Sequence, residues 1–134
     1  MSAVLVDSNV LLDILTEDER WFDWSAEALA RCAEEGILAI NPIIYAEVSI
    51  QFARIEELND ALPEPVFQRL PLPWEAAFLA GKCFLAYRRR RGGGRAPLPD
   101  FYVGAHAAVG GMTLLTRNAA RYRTYFPRLR LIAP

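Results

Sequence analysis

Short apolar runs alternate along this chain with longer stretches whose apolar positions recur every three or four residues. The first run, Ala3 to Val6, has no polar position to turn toward water, as in a strand covered on both faces. It breaks at Asp7, after which Ser8 or Asn9 can cap a helix predicted over Val10 to Leu15. Trp21 to Glu35 carries helical spacing and stops at Gly36, and Ile37 to Ile40 reads as a second strand. Asn41 and Pro42 then open a helix predicted to about Arg54. Asn41 suits the cap, and Pro42 suits the first turn, where its missing N–H costs nothing.

Beyond that point the pattern weakens. Glu57 to Arg69 is a poorer helical stretch broken by Pro63 and Pro65, and Pro71 to Pro73 forms a connector to a helix from Trp74 to about Arg90. Arg88 to Arg95 reads RRRRGGGR, a helix end running into a loop. A helix is predicted from Pro99 to about Val109, with Gly104, Ala105, Ala107 and Ala108 permitting close packing on a sheet. Gly110 and Gly111 end it, Met112 to Leu115 is a strand, Asn118 can start a short helix through Tyr122, and Arg130 to Ala133 is a last strand. Strands alternating with helices predict an α/β fold, a three-layer α/β/α sandwich with a central, mostly parallel sheet. In such sheets ligands collect beyond the carboxyl ends of the strands.

Length fits one domain over residues 1–134, long enough to bury roughly two-thirds of its unfolded surface. The apolar start is interrupted by Asp7 and lacks the marks of a secretory leader, and no run approaches the roughly 18 apolar residues of a membrane span. Cys32 and Cys83 lie far apart in predicted helices, so they read as reduced core thiols of a cytoplasmic protein with no membrane partner. The single histidine, His106, has no acidic or cysteine partner at ligand spacing and reads as a structural or surface residue. Trp21, Phe22 and Trp24 read as core or interface contacts. Charge is unevenly spread: residues 1–64 hold 3 basic and 14 acidic side chains, residues 65–134 hold 12 basic and 2 acidic. The second half therefore offers arginine to a polyanion, with Arg117, Arg121 and Arg123 flanking the expected rim. The RRRR run serves either as a solvated helix end or as a contact for RNA phosphates or an acidic peptide.

Three acids stand on apolar ground. Asp7 follows the first strand, Glu47 lies among Ile43, Ile44, Val48 and Ile50, and Asp100 precedes Phe101, Tyr102 and Val103. Carboxylates are seldom buried without compensation, and hard divalent cations such as Mg2+ or Mn2+ compensate them through oxygen ligands. Each acid has a plainer explanation alone: Asp7 as a helix cap, Glu47 as a half-exposed helix residue, Asp100 as a favourable charge in a first turn. If each helix follows its strand in the usual way, all three reach one rim. There they would hold one or two ions that activate water against a phosphodiester.

The residues that carry this pattern also resemble a known family. VLVDSNVLLDIL over residues 4–15, NPIIYAEV over 41–48, LPDFYVGAHAAVGGMTLLTRNAARYRTYFP over 98–127 and the terminal LRLIAP, in this order and spacing, resemble PIN-domain ribonucleases. More narrowly they resemble the VapC-type toxins of bacterial toxin-antitoxin pairs. The resemblance implies a metal-dependent endoribonuclease acting on structured RNA such as transfer or ribosomal RNA, leaving a 5' phosphate and a 3' hydroxyl. It implies a cognate antitoxin that wraps the toxin with a C-terminal segment, and a homodimer. Sequence-specific DNA binding would belong to the antitoxin. Asp7, Glu47 and Asp100 match the family's acids in order. Ser8 or Asn9, with Thr116 and Asn118, match the polar residues that complete the pocket, and Arg117 stands between the last two.

One position departs from the pattern. Where the family reads Thr-Arg-Asp, this chain reads Thr116-Arg117-Asn118. Asn keeps an oxygen ligand and removes one charge, which leaves open a site with one firmly held ion, a weakened or inactive relative, or an incidental substitution. Two other functions compete with the nuclease. A phosphatase with Asp7 as nucleophile would need a second acid two positions on, where Asn9 stands. A relative that binds RNA or protein without cleavage would need no metal.

Overall fold

The computed structural model describes residues 3–91 and 98–134. Five strands form one parallel sheet in the order β3-β2-β1-β4-β5: β1 (Ala3–Val6), β2 (Ile37–Ile40), β3 (Phe67–Arg69), β4 (Thr113–Leu115) and β5 (Leu131–Ile132). Consecutive buried residues in β1 (Val4, Leu5, Val6), β2 (Leu38, Ala39, Ile40) and β4 (Thr113, Leu114, Leu115) show that both faces are covered. This is the expected α/β/α sandwich. The chain builds outward from β1 through β2 to β3 on one side and later through β4 to β5 on the other. The reversal falls between β1 and β4, and that is where such sheets open a crevice.

The helices are α1 (Ser8–Leu15), α2 (Phe22–Glu35), α3 (Pro42–Ser49), α4 (Ile55–Ala61), α5 (Trp74–Arg91), α6 (Leu98–Val109) and α7 (Ala120–Tyr125). Among the described residues, none is long and apolar enough to cross a membrane. Asn41 caps α3 as its sequence requires, accepting from the Ile44 N–H at 2.9 Å. Gly111 ends α6 at φ 65, while the Gly110 and Met112 N–H groups return to the His106 and Ala107 carbonyls, each at 2.9 Å. His106 is buried beside Asn41, with Nδ1 3.0 Å from its side-chain nitrogen, and burial lowers its pKa. Of the structural or surface position expected for it, the buried one is what the fold provides. Both cysteines are free and buried.

Several predicted boundaries move. The cap of α1 is Asp7 itself, neither Ser8 nor Asn9, and α1 begins at Ser8. α3 stops at Ser49, well short of Arg54. Ser49 Oγ bonds back to the Ala46 carbonyl at 2.6 Å, and the next residue, Ile50, is exposed with no core to meet. The stretch from Glu57 to Arg69 is not one helix. α4 ends before Pro63, which cannot continue it, and Phe67–Arg69 extends to pair with Leu38–Ile40. α7 starts at Ala120, after Asn118. The arginine-glycine loop falls at residues 92–97, outside the described residues.

α6 packs against β4, α5 and α7. Gly104 faces the buried Phe126 ring, which a Cβ at that position would overlap. Gly104→Ala gains up to about 1 kcal/mol of helix propensity but overpacks this contact by about 1–3 kcal/mol. A net loss of about 1–2 kcal/mol in a urea melt is expected; unchanged stability would mean that the ring turns aside freely.

Candidate active site

The carboxyl ends of β1 and β4 are in register, with Val6 beside Leu115, and the Asp7 N–H donates to the Leu115 carbonyl at 2.9 Å. Asp7 and Thr116 therefore emerge side by side at the reversal point of the sheet. Asp7 is 2% exposed and its carboxylate accepts four hydrogen bonds. Oδ1 takes the Ser8 N–H at 2.8 Å. Oδ2 takes the Tyr122 hydroxyl at 2.9 Å, the Thr116 hydroxyl at 2.9 Å and the Asn9 amide at 3.3 Å. Every one of these donors is neutral. Burial pushes the Asp7 pKa up; hydrogen bonds from Tyr122 and Thr116 pull it part of the way back, and the Asp100 charge raises it again.

Asn9 knits the two strand ends together. Its amide donates to Thr116 Oγ1 at 3.2 Å, and its oxygen accepts the Arg117 N–H at 2.9 Å. An amide so engaged cannot serve as the general acid that a phosphatase would need at this place. Thr116 is fully buried, and its Oγ1 also receives the Asn118 N–H at 3.2 Å. Asn118 itself is exposed at the mouth.

Asp100, third residue of α6, lines the same cleft as Asp7, together with Asn9, Arg117, Asn118, Arg121 and Tyr122. The cleft encloses about 500 Å³. Glu47 joins less directly. It lies in the second turn of α3, not the first, and reaches the site through the Ser8 hydroxyl, which donates to Oε1 at 2.8 Å. Burial raises its pKa, as do the charges of Asp7 and Asp100, against the Ser8 hydrogen bond. The three acids thus share one electrostatic neighbourhood. They do not converge on one point: among the described residues, no three acidic, histidine or cysteine side chains lie close enough together to hold one ion.

The donor set is nonetheless of the right kind. Asp7 and Asp100 offer carboxylate oxygens without histidine or thiol, and Asp7 and Glu47 form no ion pair among the described residues. Mg2+ is commonly held by one or two carboxylates and keeps several waters, and Asp7 and Asp100 in one cleft are a donor set of that kind.

Four residues, Tyr122, Asp13, Arg117 and Arg121, matter here in ways that sequence reasoning missed or misplaced. Tyr122 is buried beneath Asp7, and burial with the charges of Asp7 and Asp100 raises its phenol pKa far above normal, so it stays a donor. Asp13 is buried and takes Arg117 through Nε at 2.7 Å and Nη2 at 3.0 Å, while Ser25 Oγ donates to it at 2.8 Å. Arg117 is therefore not free for phosphate; it is clamped, its guanidinium 5.4 Å from the Trp21 ring centre, and its pKa is raised by the Asp13 hydrogen bonds. Arg121 is likewise engaged, pairing through Nη1 with Asp100 Oδ2. Of the three arginines expected at the rim, only Arg123 is fully exposed.

A cleft lined by buried Asp7 and partly exposed Asp100 at the reversal point of a parallel sheet, open at the mouth and closed beneath by neutral donors, defines a polar binding site of the α/β class. The chain belongs to the PIN domain family, whose model matches residues 4–127. Solved structures share the fold. VapBC2 from Rickettsia felis bound to a DNA fragment from their promoter is 18% identical, with a TM-score of 0.71 and 98% of each chain covered. FitAcB from Neisseria gonorrhoeae is 18% identical, with a TM-score of 0.68 and 96% of each chain covered. VapBC-1 from nontypeable Haemophilus influenzae is 17% identical, with a TM-score of 0.70, covering 98% of this chain and 97% of that one. Among curated proteins none matches the sequence.

The raised pKa of Asp7 has a sign for stability. A carboxyl whose folded pKa exceeds its unfolded value contributes stability that is full below the ordinary carboxylate range and is lost as pH rises through the raised value. Asp7→Asn should therefore gain on the wild type as pH rises from about 4 to 8 when melts are compared without divalent metal. A difference in Tm that stays constant across that range would show that the Asp7 charge is not strained.

Proposed function

We propose that this chain is a divalent-metal-dependent endoribonuclease, the VapC-type toxin of a toxin-antitoxin pair. The observation that carries the reading is the buried Asp7 carboxylate, held by neutral donors alone and sharing its cleft with Asp100, in a chain of the PIN family. Asp7 and Asp100 would hold Mg2+ or Mn2+, with Glu47 acting from behind Ser8. Once bound, the ion would polarise a phosphodiester oxygen and make a bound water nucleophilic near neutral pH. The protein's own part is positional. Ser8, Asn9, Thr116 and Tyr122 fix the Asp7 carboxylate so that it need not reorganise, and Asn118 presents an amide at the mouth.

Arg88, Arg89, Arg90 and Arg123 are exposed, and form no ion pair among the described residues. They supply affinity for an RNA backbone without reading its sequence, so selectivity falls to the shape of a structured RNA. The related folds include a toxin-antitoxin complex from Klebsiella pneumoniae and VapBC structures, some bound to DNA, and this supports a cognate antitoxin as partner. In the same reading the toxin is a cytoplasmic homodimer and DNA contacts belong to the antitoxin. A second reading, a relative that binds RNA or protein without cutting, draws its support from the Asp100–Arg121 pair, which occupies one of the two carboxylates.

Purified protein incubated with total RNA and Mg2+ or Mn2+ should yield discrete cuts that disappear with chelator and with Asp7→Ala. The same cuts in every lane would reject the nuclease reading, and metal-independent RNA retention without cuts would favour the second. Asn118→Asp adds a carboxylate at the mouth and is expected to raise both Mn2+ affinity and cleavage rate. Equal titrations and equal turnover in the two proteins would remove Asn118 from the site.

A further inference from the structure

Two adjacent residues of α7 hold the two carboxylates of the cleft, and they hold them differently. Tyr122 is buried and donates to Asp7, whereas Arg121, one residue earlier, pairs with Asp100 where both side chains remain more than a third exposed, at 38% and 36%. Its guanidinium carbon lies 5.9 Å from the Tyr87 ring centre, on the α5 side of the mouth. We propose that Arg121 is a displaceable counter-ion: it neutralises Asp100 while the cleft holds no divalent cation, and releases that carboxylate when one binds. This rests on the metal-dependent reading above.

Comparison with Arg117 shows why one arginine can let go and the other cannot. Arg117 grips Asp13 through two nitrogens, its partner is 4% exposed, and Trp21 lies against it. Breaking that pair would strand a buried charge. Arg121 touches Asp100 through one nitrogen, and water can solvate either group on separation. Exposed pairs of this kind are held weakly. Asp100 raises the cost of charge on Asp7 and Glu47, and a single guanidinium beside it offsets only part of the cleft's negative charge; a divalent ion offsets more. Arg121 and the metal therefore compete for Asp100, and the arginine sets the metal concentration at which the site fills.

Mn2+ titration followed by loss of its free-ion EPR signal tests the competition directly. Arg121→Gln, which removes a partly exposed cation, should bind Mn2+ about fivefold tighter than wild type or more. Equal or weaker binding by Arg121→Gln, with wild type still binding, overturns the counter-ion and leaves the metal-dependent reading standing. No Mn2+ binding by either protein overturns both. A second measurement needs no variant to fold well: in wild type, Mg2+ should shift the Arg121 Nε–H resonance toward that of a solvated arginine while the Arg117 resonance stays in place. An Arg121 signal unmoved at Mg2+ saturation overturns the proposal.

Discussion

A carboxylate buried at the end of the central strand has to be compensated, and much of the local structure at the switch point follows from how that is done. Asp7 leaves β1 buried, and among the described residues it forms no ion pair. Its donors come from four places: the first N–H of α1, the Asn9 amide, the Thr116 hydroxyl beyond β4 and the Tyr122 hydroxyl of α7. Two of these donors belong to α1, and the others tie the turn after β4 and α7 to the same oxygen pair. The register of β1 with β4 brings Thr116 alongside, and α7 must lie across the crevice for Tyr122 to reach. One charge thereby fixes the relative placement of four segments, while its own pKa stays raised.

The arginines divide the remaining electrostatic work by depth. Arg117, clamped to buried Asp13 and covered by Trp21, is a structural bolt between α1, α2 and the turn after β4. Buried pairs of this geometry are costly to break because either partner alone would be an unsolvated charge. Arg121 sits at the mouth and is held more lightly, and Arg123 faces water. Three arginines within seven residues of chain thus run from fixed to free, and the gradient follows the exposure of their surroundings, not any difference in their chemistry.

Much of the architecture was legible along the chain. The apolar runs at Ala3–Val6 and Ile37–Ile40, the Asn41–Pro42 helix start and the Gly110–Gly111 stop each carry a local physical signal, and each appears in the fold where expected. The segment around Phe67–Arg69 did not, because a three-residue edge strand takes its stability from pairing with β2 and has almost no signal of its own. Asp7 and Asp100, which line one cleft, were legible as candidates because acids in apolar stretches demand a reason. Tyr122 was not, since a tyrosine in a short polar helix is unremarkable until the chain folds it beneath a carboxylate.

The sequence by itself determined the fold class, the order of the main elements and the three acids, because hydrophobic periodicity, capping residues and the cost of burying charge all act locally. Only the tertiary structure decided which donors those acids receive and which cations they hold. Arg117 and Arg121 look equivalent in sequence, four residues apart and equally charged; one became a bolt and the other the partner of Asp100. The physical reason is that hydrogen bonding and desolvation depend on what stands opposite each group across the sheet. For Asp7 and Thr116 that neighbour lies 109 residues away.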